Sequence, residues 1–138
     1  MRAKHHKSGL GMRPLLFRTL AVVALSFFSG TSYSAGLSPS TRAEVNALLD
    51  NLGASECRFY RNDTWYTGAA ARDHLKKKYD YLAKKGLIAM PEDFIAHAAT
   101  KSSVTGEPYK VQCPGYDPEL SAAWLTHELE RLRKAQGQ

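Results

Sequence analysis

The sequence predicts an α+β domain: a three-stranded antiparallel sheet, order 2-1-3, with about four helices packed mainly on one face. Three observations carry that expectation. Apolar residues recur at helical spacing in four stretches. Two short aromatic runs flank a turn pair, and two cysteines stand at the start of one strand and the end of another. The predicted order is α-β-β-α-α-β-α.

The elements follow in chain order. Residues 36–40, which contain Pro39, read as a linker. The run TRAE at 41–44 is a capping-box pattern, Val45, Leu48, Leu49 and Leu52 follow the i, i+3, i+4, i+7 template, and Gly53 supplies the stop. Next, CRFYR at 57–61 and TWYT at 64–67 flank Asn62 and Asp63, residues that tolerate the positive φ of a two-residue hairpin turn. That register places Tyr60 opposite Trp65 and Phe59 opposite Tyr66. Period-two alternation then groups Cys57, Phe59 and Tyr66 on one face, with Tyr60 and Trp65 on the other.

A second helix is expected over 69–85, ended by Gly86, with Ala71, Leu75, Tyr79 and Leu82 as its apolar stripe. Asp73–Lys77 and Asp80–Lys84 are spaced as i,i+4 charge pairs. Pro91 opens a short third helix carrying Phe94, Ile95 and Ala98. A polar loop over 100–108 leads into an alternating strand at 109–113, which Pro114 and Gly115 terminate. In the last helix Ser121 is placed as N-cap, Leu120 and Leu125 as a hydrophobic staple, and Trp124, Leu125, Leu129 and Leu132 as the apolar side. The single domain spans 41–134, and 135–138 is a tail.

Charge separates the domain from what precedes it. The chain of 138 residues has a net charge of +6, yet residues 1–35 hold five basic side chains and no acid. The remaining 14 basic and 13 acidic side chains give a domain of net +1. Residues 1–18 are basic, 20–28 (LAVVALSFF) form an apolar run of signal-peptide length, and small residues follow at 31–35. A spanning helix needs roughly twice that length. The expectation is an exported protein cut after Ser34 or Ala35, with Met12 as an alternative start and no stable membrane anchor after cleavage. Cys57 and Cys113 are the only cysteines, and an even pair in an exported chain predicts a disulfide.

No motif assigns catalysis. Lys76, Lys77 and Lys78 spread over about 200° of helix surface, so they form a solvated face rather than a nucleic-acid stripe. His74, His97 and His127 lack metal-ligand spacing, and no cofactor or metal is expected. Lys101, Ser102 and Ser103 invite a small serine hydrolase with a lysine base, but no Gly-x-Ser-x-Gly or Ser-x-x-Lys element is present. Hydroxyls in such a loop also serve its own turns. The expected activity is therefore a non-enzymatic binding or envelope-accessory module. Its candidate contact residues are Lys101, Ser102, Ser103 and Thr105 in the loop, and Tyr60 and Trp65 on the sheet. The aromatic pair forms an exposed contact patch, lies under a tail or helix, or is displaced by a slipped hairpin register.

The residues at 57–62, 71–75, 78–79, 101–115 and 123–125 together resemble the YfeK-like family of small bacterial proteins, a domain of unknown function with an export signal. The likeness covers about 41–133. It implies a periplasmic location in a Gram-negative bacterium and carries no activity. One departure is Asn62-Asp63, where the resemblance leads one to expect Asn-Gly.

Overall fold

A computed structural model of the chain describes residues 36–137. The leader expected over 1–35 and the cleavage sites at Ser34 and Ala35 lie outside the described residues. The chain order is α1 (Pro39–Ala54), β1 (Arg58–Arg61), β2 (Thr64–Thr67), α2 (Gly68–Lys84), α3 (Pro91–Ala98), β3 (Lys110–Gln112), β4 (Glu119–Leu120) and α4 (Ser121–Ala135).

The first helix begins earlier than the capping box suggests. Ser38 is the N-cap, its hydroxyl accepting from the Thr41 amide at 3.1 Å, and Pro39 occupies N1, where no N–H is needed. The helix thus takes in two residues of the segment read as a linker. Glu44 is drawn away from capping because Arg133 of α4 binds it at 2.6 Å. Thr41 is buried instead, and its hydroxyl donates to the Ala89 carbonyl. Gly53 does not stop the helix. It lies inside α1, where a Cβ would come within 2.6 Å of the Arg72 side chain that reaches across to Asp50.

The hairpin forms in the expected register. Asn62 and Asp63 both adopt positive φ (48° and 60°), Phe59 faces Tyr66 and Tyr60 faces Trp65. Thr67 then caps α2, accepting from the Ala70 amide. Leu75 and Tyr79 are buried along the expected stripe, and Ala71 and Leu82 pack against them. The expected Asp73–Lys77 and Asp80–Lys84 pairs are absent among the described residues. Asp80 pairs with Lys76 at 2.8 Å instead, because helical side chains lean towards the N-terminus and bring Asp80 over the preceding turn.

The sheet has four strands, order β2-β1-β3-β4, and all three pairings are antiparallel. The three-stranded expectation holds for 2-1-3 and misses β4. Residues 119 and 120 pair with Val111 and Lys110, and the Ser121 amide donates to the Tyr109 carbonyl at 2.9 Å. Leu120 is consequently the N-cap position, Ser121 is buried within the helix, and the expected staple does not form, since Leu120 is exposed. Two residues without alternating apolarity give no strand signal, so only the return of the chain beside β3 creates this strand.

Cys57 and Cys113 are bonded, joining the entrance of β1 to the exit of β3. Phe59 and Val111 on the same sheet face are buried against Leu48, Leu52, Phe94, Leu125 and Leu129 from the helices. Phe59 meets Trp124 edge-on, with ring centroids 5.6 Å apart. Arg133 closes the helical layer by bridging Glu44 of α1 and Glu92 of α3. Among the described residues no helix is long and apolar enough to cross a membrane.

Candidate functional site: a cleft between α2 and the sheet

The loop over 100–108 is ordered by its own backbone and side chains. Lys101 bridges to Pro108, the Ser102 amide donates to the Glu107 carbonyl, and the Gly106 amide donates to the Ser102 carbonyl. Ser102 is 3% exposed, and its hydroxyl accepts from the Val104 and Thr105 amides, both at 3.3 Å. That hydroxyl holds the loop's shape and is not displayed, so Ser102 leaves the set of surface contacts. Among the described residues no hydrogen bond joins the Lys101 ammonium to either serine hydroxyl. Lys101, Ser103 and Thr105 are exposed.

The loop docks onto the hairpin. Thr105 donates to the Asn62 side-chain carbonyl at 3.0 Å, and the Tyr60 hydroxyl reaches Asp63 at 2.9 Å and Glu107 at 3.2 Å. The hydrogen bond to Asp63 foremost, then partial burial and the charges of Asp63 and Glu107, push the Tyr60 phenol up to about 12. Tyr60 and Trp65 lie 5.3 Å apart between ring centroids, with the Lys110 ammonium over the Tyr60 ring. Both rings are half-buried. The two surfaces read separately from the sequence are therefore contiguous, joined through Thr105, Asn62 and Glu107.

On the opposite sheet face, a cleft of about 340 Å³ opens between α2 and the strands. Its apolar part is made by Phe59, Tyr66, Ala70, Ala71 and Leu75, and its polar end by Arg61, His74 and Tyr109, with Asp73 and Lys77 also lining it. Strand alternation puts Arg61 on the same face as Phe59, and α2 presents His74 beside the apolar stripe. The Arg61 guanidinium lies 4.9 Å from the Tyr66 ring centroid and donates to His74 Nδ1 at 2.8 Å. Nε2 lies 3.2 Å from both Arg61 Nη1 and the Tyr109 hydroxyl; with the nearer Nδ1 assigned as the acceptor, Nε2–H donates to Tyr109. From behind, the Lys78 ammonium reaches the same hydroxyl at 3.4 Å and the Lys101 carbonyl at 3.1 Å.

The electrostatics of this end are one-sided. Burial first, then the charges of Arg61, Lys78 and Lys77, lower His74 to about 4, so the ring is neutral at physiological pH and free to accept from Arg61. Burial and Arg61 hold the Lys78 ammonium below the ordinary lysine range, and burial raises the Tyr109 phenol. Among the described residues Arg61, Lys77 and Lys78 lie in no salt bridge, whereas Arg72, Lys76, Arg131 and Arg133 all do. No sequence motif announces this cluster. The available signals are the i,i+4 spacing of His74 and Lys78 and the alternation that turns Arg61 inward. Neither says that β1, α2 and Tyr109 converge.

Residues 39–133 match a family of unknown function, DUF5329, and the chain belongs to that family. No curated protein and no solved structure matches the chain.

Proposed function

We propose that the chain is exported to the periplasm, as its YfeK-like resemblance implies, and acts there as a non-enzymatic binding module. Its ligand site in this reading is the cleft between α2 and the sheet. The basic, acid-free leader with its short apolar run supports export, and a disulfide is compatible with an oxidising compartment. The observation that carries the binding role is the cleft itself. It combines an apolar floor with a few converging polar groups, and its volume lies at the lower end of small-ligand sites.

A fragment screen by NMR tests this reading. Binding compounds should shift the amides of Phe59, Ala70 and Ala71, and Ala70→Trp, which fills the mouth of the cleft, should abolish those shifts. Hits that cluster elsewhere, or that survive Ala70→Trp, would remove the cleft as the ligand site. Intact mass of the periplasmic protein tests export, which requires a species lacking the leader.

A further inference from the structure

The apolar floor and the one-sided charge of the cleft constrain what it would hold. Arg61 is half-buried, which makes an uncompensated charge costly, and a guanidinium in such a position ordinarily has an oxyanion beside it. Here the guanidinium donates to His74 Nδ1 and makes no other hydrogen bond among the described residues, the Nε2–H being a donor itself. One N–H edge faces a neutral ring, and the remaining donors have no acceptor among the described residues. Tyr66 under the guanidinium and His74 at its edge hold the planar fork in place, so little side-chain freedom is lost when a second partner arrives.

The Tyr109 hydroxyl has the same polarity. It accepts from His74 and sits within reach of Lys78, which leaves its own hydrogen free to donate. Lys77 adds a second ammonium at the rim, and Asp73 is the one carboxylate among the lining residues. The apolar side chains of Phe59, Ala71 and Leu75 offer nothing to a fully hydrated inorganic ion, but they suit a hydrocarbon or ring body.

We propose that the cleft binds a small organic oxyanion, a carboxylate or phosphate ester, with the oxyanion on Arg61 and Tyr109 and an apolar body against Phe59 and Leu75. This inference rests on the cleft being the ligand site and adds the ligand's chemical class. Arg61 supplies paired charge-assisted hydrogen bonds to the oxyanion. His74 is a positioning residue that orients Arg61 and Tyr109. A bound negative charge favours imidazolium, so binding and protonation of His74 are coupled.

Matched probes isolate the charge. The purified protein is titrated with 3-phenylpropionate, its neutral amide 3-phenylpropionamide, phenyl phosphate and inorganic phosphate, followed by amide and His74 ring NMR shifts. The charged organic probes should bind at least about tenfold more tightly than the amide, the size expected of one charge-assisted contact. Arg61→Gln should remove that difference, and the His74 ring midpoint should rise from about 4 when carboxylate is bound. Should Arg61→Gln not fold by circular dichroism, Arg61→Lys replaces it, and several-fold weaker carboxylate binding is expected because the fork is lost. Equal binding of carboxylate and amide would overturn the oxyanion while keeping the cleft. Inorganic phosphate that binds alike to wild type and variant would mark an adventitious ion only and would also overturn it. No shift at the cleft with any probe would remove both readings.

Discussion

Acidification probes the polar end of the cleft through His74. In the unfolded chain the imidazole takes its ordinary value of 6.5, and in the fold burial and the neighbouring cations lower it to about 4. Between those values the unfolded state binds more protons than the folded state. Stability contributed by the neutral ring is therefore fully present above pH 6.5 and is lost as pH falls towards 4. Unscreened, a gap of that width corresponds to about 3 kcal/mol. The ring is only partly buried, and solvent screening reduces the figure to about 1–2 kcal/mol. The groups that face it are Arg61 from β1, Tyr66 from β2, Asp73, Lys77 and Lys78 from its own helix, and Tyr109 ahead of β3.

Urea unfolding at steps from pH 7.5 to 4.5, on wild type and His74→Gln, measures the effect. Glutamine offers a carbonyl to Arg61 and an amide to Tyr109 but does not titrate. Wild type should lose about 1–2 kcal/mol more than the variant across this interval. Glu92, lowered chiefly by its hydrogen bond from Arg133, and Asp93, lowered by the Ala89 and Met90 amides, lose their contributions at more acidic pH. Both are common to the two proteins and cancel in the difference. Parallel pH curves, or a His74 ring that titrates near 6.5, would refute the reasoning.

Replacing both Cys57 and Cys113 by alanine should cost about 4 kcal/mol in the chain-entropy treatment, because the bridge spans 56 positions. A urea midpoint lowered by less than about 1 M would show that the unfolded chain is already constrained there. Arg133→Met removes a partly buried ion pair to Glu44 of α1 and an exposed one to Glu92 of α3, and should cost about 1–3 kcal/mol by the same measurement. Ser102→Ala leaves the Val104 and Thr105 amides without their acceptor and should cost about 1–2 kcal/mol. Lys101→Ala with Ser103→Ala should change stability by no more than about 0.5 kcal/mol per site. Reduced partner capture by that double variant, with an unchanged melting temperature, would mark the loop as a second contact surface.

Local chemistry made much of this fold legible. Leu48 and Leu52 at helical spacing, Asn62-Asp63 between aromatic runs, Gly86 after a helical stripe and Pro91 before one each report a short-range preference of the chain. Those preferences survive folding because the tertiary structure adds packing without opposing them. The disulfide and the β1–β3 pairing were accessible for a related reason: a cysteine at each end of an antiparallel pair leaves few arrangements.

Other features were decided by where distant segments meet. Glu44 joins Arg133 rather than a cap, Gly53 makes room for Arg72 rather than ending its helix, and residues 119 and 120 become a strand only beside β3. Ser102 and Ser103 are adjacent and chemically alike, yet one is buried as a backbone acceptor and the other faces solvent. The polar cluster is the extreme case. Arg61, His74 and Tyr109 come from a strand, a helix and a loop, and each alone reads as an ordinary surface or core side chain. Sequence periodicity assigns a residue to a face of its own element. Only packing brings three such faces to one point and leaves Arg61 there in no salt bridge among the described residues.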